Sequence, residues 1–242
     1  PLGAATIGQV HAARILDGRE VVVKVTRPGL RDVMRREFEE LRAAADENRY
    51  IQNFICDLEE AGMSELDLRK EARFLQEGMK VYRHPQLGIS PVPLINEVPA
   101  TPGLMVMGKA GGRKFNAMPS EAELERSNLT KAEYVGLKVK VLQQFMEIWF
   151  RSLAFTDNAF MHADLHPGNL LFELCPGENP GYKLHIIDFG SSEQLHRGEQ
   201  TALHKMGAAI AMHYYTGMCV DTATRVFLDA FEEFSAPLTT EQ

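Results

Sequence analysis

The chain has 242 residues, of which 45% are hydrophobic and 24% are charged, and its formal net charge is -7. This composition is ordinary for a globular protein and excludes disorder as a global state. The negative charge argues against non-specific nucleic-acid binding, which needs an excess of Lys and Arg. Cys56, Cys175 and Cys219 are too few for a disulfide framework and lie outside any C-x-x-C zinc spacing.

Neither a membrane-spanning helix nor a signal sequence is visible, because no stretch reaches roughly 18 consecutive apolar residues. The chain begins at Pro1 and ends, over 238–242, in residues typical of a helix start. We therefore expect that residues are missing at both ends, with any targeting segment among them.

The first elements are two β-rich runs, Gly8 to Ile15 and Glu20 to Thr26. Between them lies Asp17-Gly18, a pair that accepts positive φ and predicts a β-hairpin. The small residues Gly3-Ala4-Ala5-Thr6-Ile7-Gly8 precede the first strand and could bring backbone amides close to phosphates. Such turns are also common for purely structural reasons.

Two helices are predicted next. Leu30 to Tyr50 is charged and Ala-rich, which favours one helix. Ser64 stands three residues before Asp67, which predicts the capped start of an amphipathic helix. Its apolar stripe comprises Leu68, Ala72, Leu75 and Met79.

The second half of the chain is mainly helical. Leu104 to Met107 predicts a buried strand, and the glycines that follow favour a lobe boundary near residue 110. Thr130 and Glu133 form a capping box before a long helix. The predicted buried face of that helix comprises Val135, Val139, Leu142, Met146, Trp149 and Leu153.

Short strands are predicted at Leu170 to Phe172 and Leu184 to Ile187, and helices at His196 to Tyr215 and Val220 to Phe234. This order predicts an α+β, two-lobed, protein-kinase-like fold. Residues 1–110 would form the β-rich N-lobe and residues 111–242 the mainly helical C-lobe.

The chemistry is concentrated in the block MHADLHPGNLLF at 161–172 and in IIDFG at 186–190. Phosphoryl transfer needs a carboxylate facing the acceptor hydroxyl, and an amide and a second carboxylate to hold Mg²⁺. Asp164, Asn169 and Asp188 would supply these groups in that order.

Lys24 interrupts the apolar strand Val21 to Val25 and needs a partner. It would hold the nucleotide phosphates and pair with Glu71, although an isolated strand lysine more often faces solvent at a sheet edge. The motifs further along the chain favour the first interpretation. Glu65 and Asp67 are also explained by the charge preference of a helix N-terminus.

A zinc site is the alternative for the histidine-rich block. His162, Asp164 and His166 offer three ligands close together, but zinc would leave Asn169 and Asp188 without a role. We favour the interpretation that the two histidines brace the loop.

The segments PLGAATIGQVHAARILDGREVVVKVTRPG, HADLHPGN and IIDFG closely resemble the ABC1/UbiB family of atypical protein-kinase-like enzymes, and the resemblance covers nearly the whole chain. It implies an Ala-rich loop over the phosphates, contributed by Ala4, Ala5, Thr6, Ile7 and Gly8, with Met107 at the hinge beside the base. Glu65-Leu66-Asp67 is similar to the E-x-D motif of the family. The resemblance also implies a Lys24–Glu71 pair, Asp164 as the catalytic aspartate, and Asn169 and Asp188 as metal ligands.

For function, the resemblance implies ATP and Mg²⁺ as cofactors, ATPase activity, and a role in ubiquinone or other prenyl-lipid metabolism. It implies partners among prenyl-quinone pathway proteins and a place at the mitochondrial inner membrane or, alternatively, in a plastid. Membrane association would come through segments outside this chain. Two features depart from the family: no K-x-G-Q element is visible before the loop, and Gly108 replaces an acidic hinge residue.

Two other functions stay open at this point. Small-molecule phosphotransferases of the aminoglycoside or choline kinase type use a similar H-x-D-x-H-x-x-N loop, but they lack the Ala-rich hairpin and the E-x-D helix. A non-catalytic kinase-fold subunit of a larger assembly is the other alternative. Intact Lys24, Glu71, Asp164, Asn169 and Asp188 argue against it.

Overall fold

A computed structural model describes residues 2–4, 8–45, 49–156, 159–217 and 219–235 of the chain. The strands are β1 (Gly3–Ala4), β2 (Gly8–Arg14), β3 (Glu20–Thr26), β4 (Ile89–Pro91), β5 (Leu104–Gly108), β6 (Arg113–Lys114), β7 (Phe160–His162), β8 (Leu170–Leu174), β9 (Tyr182–Ile186) and β10 (Ser192–Gln194). The helices are α1 (Leu30–Ala44), α2 (Arg49–Glu65), α3 (Leu68–Tyr82), α4 (Glu121–Arg126), α5 (Lys131–Phe155), α6 (Arg197–Thr216) and α7 (Val220–Ser235). The predicted α+β class is confirmed.

The backbone divides into two compact units. One combines residues 1–142 with 162–192 and contains both four-stranded sheets; the other combines 143–161 with 193–242. The lobe boundary that the motifs place near residue 110 stays a prediction.

The first sheet has the strand order β1-β2-β3-β5 and is antiparallel throughout. Strands β2 and β3 pair from Gly8↔Thr26 to Arg14↔Glu20, and Gly18 in the connecting turn has φ 92°. This confirms the predicted hairpin. Because side chains alternate between the two faces of a strand, Val22 and Lys24 share one face, while Val21 packs with Ile95 and Val106 in the core on the other.

The second sheet has the order β4-β9-β8-β6, in which only the β4–β9 pair is parallel. Leu170 pairs with Ile186, so the start of β8 lies beside the end of β9. The hairpin therefore brings the residues just before β8 next to the residues just after β9. The Ile187 amide donates a 2.9 Å hydrogen bond to the Asn169 carbonyl at this point.

The prediction of helix from Leu30 to Tyr50 is confirmed over most of that range, but a continuous helix is wrong, because α1 ends at Ala44 and a separate helix begins at Arg49. The predicted Ser64 cap is also wrong, since α2 continues through that residue. The N-cap of α3 is Asp67, whose carboxylate accepts a hydrogen bond from the Arg69 amide. Ser64 instead accepts a hydrogen bond from the amine of Lys70 at 2.8 Å.

The α3 stripe is confirmed at Leu68, Ala72 and Leu75, which are all at most 5% exposed, whereas Met79 is half-buried. These side chains anchor the helix against the core of the first unit. The position of α3 matters for the site, since the helix also carries Glu71.

The capping box of α5 is confirmed: the Thr130 hydroxyl and amide both donate to the Glu133 carboxylate. The predicted buried face is wrong, because Val135 and Val139 are about half exposed while other residues are buried. The buried positions of α5 are Tyr134, Val141, Phe145 and Ser152. The helix carries apolar residues on more than one side, so the spacing of its apolar residues is compatible with two different buried faces.

In the second unit, α6 and α7 pack against each other, which confirms the two predicted helices. The side-chain amide of Gln200 donates to the carbonyls of Leu153 and Thr156 and so satisfies acceptors at the end of α5. Within the described ranges, no helix combines the length and apolar content that crossing a bilayer requires.

Candidate active site

The amine of Lys24 lies between two carboxylates. Its Nζ is 2.8 and 2.7 Å from the two Glu71 oxygens and 3.2 Å from Asp188 Oδ1. The three residues come from β3, from α3 and from the segment after β9. Folding thus brings Lys24 to Glu71, the partner that the sequence predicts for it, and adds Asp188, which the sequence singles out separately as a metal ligand.

Burial makes this cluster electrostatically strong. The Lys24 side chain is 14% exposed and that of Glu71 is 6% exposed. Burial alone would lower the pKa of the Lys24 amine, but the carboxylates of Glu71 and Asp188 raise it above its ordinary value. The amine therefore carries its charge and offsets part of the cost of burying the Glu71 carboxylate, although burial still raises the pKa of that carboxylate above its ordinary value.

The backbone at Asp188 is unusual. Its φ is 61°, in the left-handed region that non-glycine residues rarely adopt and that costs about 1–3 kcal/mol. The turn directs the carboxylate to Lys24, while the next side chain, Phe189, is buried at 1% exposure. A Cβ added at Gly78 would lie 2.2 Å from the Phe189 ring, so α3 needs a glycine there.

The predicted catalytic residues Asp164 and Asn169 are in direct contact. The Asn169 amide nitrogen donates to the Asp164 backbone carbonyl at 3.0 Å and to Asp164 Oδ2 at 3.1 Å. Asn169 is 6% exposed, and its backbone carbonyl accepts a hydrogen bond from the Ile187 amide. Asp164 and Asn169 are therefore tied to the residue that precedes Asp188.

His162 links the same segments through its ring. Its Nδ1 accepts a hydrogen bond from the Asp164 amide at 3.3 Å, which leaves Nε2 as the donor to the Ile187 carbonyl at 3.4 Å. Burial lowers the pKa of His162, so the neutral ring is favoured. The Nδ1 of His166 likewise accepts from the Gly168 amide at 3.0 Å.

These contacts bear on the zinc alternative. The Nδ1 atoms of His162 and His166 accept backbone hydrogen bonds, so any metal would have to bind through the two Nε2 atoms. Among the residues that the structure describes, no group of three or more His, Cys, Asp and Glu side chains is placed to hold a metal ion. Both histidines instead brace the loop around Asp164.

A cavity of about 450 Å³ opens in front of Lys24, Glu71 and Asp188. This volume is in the range of small-molecule sites. One wall is apolar and suits a flat ring, and its residues are Val10, Val22, Met107 and Leu171. Of these four residues, the sequence identifies only Met107 as a site residue. Side chains two positions apart on a strand lie on the same face, so the position of Lys24 also indicates Val22.

The residues predicted to cover the phosphates are only partly described. Ala4 lies in β1 opposite Gln9, and Gly8 begins β2. Ala5, Thr6 and Ile7 lie outside the described residues. A Cβ added at Gly8 would stand 2.5 Å from the Val25 carbonyl oxygen, so this glycine is required for close strand approach.

The side chains present fit a magnesium nucleotide. The Asp188 carboxylate is about half exposed, and Asn169, whose amide nitrogen bonds Asp164, also has a side-chain oxygen that can act as a ligand. Such oxygens are the ligands that Mg²⁺ prefers. A charged amine beside an apolar wall suits a triphosphate attached to a base.

Comparison with known proteins gives a family and a set of relatives. The family model described as the ABC1 atypical kinase-like domain matches residues 1–220. The "Probable protein kinase UbiB" of Pseudomonas entomophila is 31% identical over 191 residues, which cover 75% of this chain and 33% of that protein. The protein of the same name from Marinobacter nauticus is 28% identical over 213 residues, with 84% and 36% covered. The chain thus spans about a third of the length of these curated relatives.

A solved structure also resembles the chain. This structure, titled as the complex of Rv3197-erythromycin from Mycobacterium tuberculosis, has a TM-score of 0.57 at 22% identity. The match covers 99% of this chain and 56% of the other. At this identity the likeness concerns the fold, and together with the family model it confirms the predicted protein-kinase-like fold.

Proposed function

Because the chain belongs to the ABC1 atypical kinase-like family, we propose that it binds Mg-ATP in the Lys24 cavity and acts as an atypical kinase or ATPase. The observation that supports this most directly is the Lys24 amine, which lies within 3.2 Å of both Glu71 and Asp188 at the cavity wall. Kinases use such a lysine to hold nucleotide phosphates, with a glutamate to orient it.

Each residue then has a defined task. Lys24 holds the phosphates, and Glu71 keeps the amine in place. Asn169 and Asp188 would hold Mg²⁺, which supplies positive charge to neutralise the phosphate oxygens when bound. Asp164 orients the acceptor hydroxyl or a water molecule and accepts its proton, while the Asn169 amide fixes the Asp164 carboxylate.

The base of the nucleotide would lie against the apolar wall. Val10 and Val22 face the cavity from the first sheet, and Leu171 faces it from the second. Met107 closes the end of the same wall beside Gly108. The loop from Ala4 to Gly8 would cover the phosphates through its backbone amides.

A thermal-shift titration with Mg-ATP tests the binding step. Ligand bound only to the folded state stabilises it by RT ln(1 + [L]/Kd), which is about 2.7 kcal/mol at a hundred times Kd. We expect a rise in Tm that depends on Mg²⁺, and a smaller Mg²⁺ dependence in the Asp188→Asn variant. No shift at millimolar Mg-ATP would instead favour the non-catalytic kinase-fold subunit.

The same proposal extends to pathway and place. We assign the protein to ubiquinone or other prenyl-lipid metabolism, with prenyl-quinone pathway proteins as partners, at the mitochondrial inner membrane or in a plastid. The support is the resemblance of its motifs to the ABC1/UbiB family. Loss of the full protein should lower cellular prenyl-quinone, and the wild-type form should restore it while Asp188→Asn does not. Unchanged quinone levels would contradict this assignment.

A further inference from the structure

Helix α3 contacts three parts of the candidate site along one face. Glu71, Leu75, Gly78 and Tyr82 follow the spacing i, i+4, i+7, i+11, and all four are buried. Glu71 bonds Lys24, Gly78 packs under Phe189, and Tyr82 reaches the start of the catalytic loop. The helix therefore spans about 16 Å between the lysine pair and that loop.

Tyr82 makes its contact through the hydroxyl. The side chain is 0% exposed, and its oxygen accepts a hydrogen bond from the His162 amide at 3.2 Å. The ring also lies 6.5 Å from that of Phe189 between centroids. A buried tyrosine hydroxyl needs such a partner, because an unpaired polar group in the interior costs free energy.

The His162 ring contacts two segments of the candidate site. It accepts from the amide of Asp164 and donates to the carbonyl of Ile187, the residue before Asp188. The His162 ring also packs against Phe189, with centroids 4.8 Å apart. The hydrogen bond that the His162 amide donates to Tyr82 thus fixes the residue that orients both the catalytic loop and the metal-binding segment.

We propose that Tyr82 is a positioning residue that sets Asp164 relative to the Lys24–Glu71 pair through its hydrogen bond to the His162 amide. This inference rests on the proposed function, because Asp164 matters only if phosphoryl transfer occurs. Tyr82 touches no reacting atom and acts through His162. Removing its hydroxyl should leave nucleotide binding intact and misplace Asp164.

The test is Tyr82→Phe, with Tyr134→Phe as the matched control. Tyr134 is equally buried at 1% exposure, and its hydroxyl has no hydrogen-bond partner within the described ranges. In Tyr82→Phe we expect kcat for nucleotide hydrolysis to fall at least about tenfold with KM for ATP unchanged, since small misplacements of reacting groups are costly. Tyr134→Phe should keep wild-type values. An unchanged kcat in Tyr82→Phe, or an equal loss in both variants, would overturn the inference.

Hydrogen exchange without nucleotide separates this inference from the proposed function. Tyr82→Phe should speed amide exchange at residues 160–166, and Tyr134→Phe should not. Wild-type exchange in Tyr82→Phe would remove the basis of the inference whatever the activity. If the wild-type protein neither binds nor hydrolyses ATP, the proposed function fails, while faster exchange in the variant still supports the link between Tyr82 and the loop.

Discussion

The Lys24–Glu71 pair is the most buried charge interaction of the candidate site, and its energetics can be tested by removing one partner. In Lys24→Met the Glu71 carboxylate stays buried without its ammonium, a change that costs about 3–5 kcal/mol when an ion pair is broken in the interior. We therefore expect a large loss in the free energy of unfolding, measured by urea denaturation, together with loss of Mg-ATP hydrolysis.

Two further variants serve as controls for the Lys24→Met experiment. Lys109 also lines the cavity, but its pair with Glu20 is well exposed, so Lys109→Met should cost less than about 1 kcal/mol. The double variant Lys24→Met/Glu71→Gln removes the buried charge and should recover part of the stability but none of the hydrolysis. Equal stability losses in Lys24→Met and Lys109→Met would contradict the buried pair.

His162 makes the stability of the folded protein depend on pH. Burial lowers its pKa below the ordinary 6.5, so the unfolded state takes up a proton first as the pH falls. The contribution of His162 is therefore complete above pH 6.5 and is lost as the pH drops from 6.5 towards the folded pKa. Asp164, Asp188 and His166 are the charged or titratable neighbours that modify this value.

We expect the Tm of the wild-type protein to fall more steeply between pH 7.5 and 5.5 than that of His162→Gln. His196 has an exposed side chain and is the matched control, so His196→Gln should keep the wild-type slope. The comparison needs only Tm values in buffers of equal ionic strength. Parallel curves for wild type and His162→Gln would remove His162 as a source of pH dependence.

At this scale the sequence identifies the candidate residues and, through the family resemblance, the Lys24–Glu71 pair, but not the other contacts of these side chains. The blocks around Asp164 and Asp188 name the side chains because catalytic motifs constrain residue type at short spacing. Lys24 is 47 and 164 positions from Glu71 and Asp188, and separations of that length carry no periodic signal. The sequence predicts that His162 braces the loop, but the atoms that its ring contacts and the role of Tyr82 depend on three-dimensional proximity and needed the structure.

Among the elements, those with short-range signals were predicted well. The β2–β3 hairpin has its Asp17-Gly18 turn, and the start of α5 has its capping box. The division of 30–65 into α1 and α2 was missed, because the charged and Ala-rich stretch favours helix without marking an end. The buried face of α5 was missed because apolar residues surround that helix.

Helix α5 offers a direct test of which of its faces is buried. Phe145 is 1% exposed, whereas Phe150 is 63% exposed. We expect Phe145→Ala to lower the free energy of unfolding by about 3–5 kcal/mol, since it removes a buried ring and leaves a cavity. Phe150→Ala should change it by no more than about 0.5 kcal/mol.

Urea midpoints with an unchanged m-value report this difference as stability. Phe150 keeps one ring contact, to Trp149 at 5.7 Å between centroids, so a small loss there is compatible with the structure. The reverse order of the two variants would show that the sequence-based face, which includes Met146 and Trp149, is the one that packs in solution.

At the level of the whole molecule, the candidate site belongs to one of the two compact units. Residues 1–142 and 162–192 contain Lys24, Glu71, Asp164, Asn169 and Asp188. The chain must therefore return to the first unit after residue 161 to complete the site. Length and composition predict a globular molecule that is large enough for two units. That residues 143–161 leave the first unit and join the second follows from tertiary packing, which composition does not reveal.

Net charge is the property of the whole molecule that decides between classes of partner. With 33 acidic and 26 basic residues, the chain carries a charge of -7 and repels polyanions. We expect no change in the fluorescence anisotropy of a labelled DNA or RNA 20-mer at micromolar protein in about 50 mM salt, where phosphate contacts are strong. A basic DNA-binding protein serves as the positive control. Binding that weakens steeply as salt rises would reveal a local patch of Lys and Arg that the net charge conceals, and would contradict the prediction that nucleic acid is not a partner.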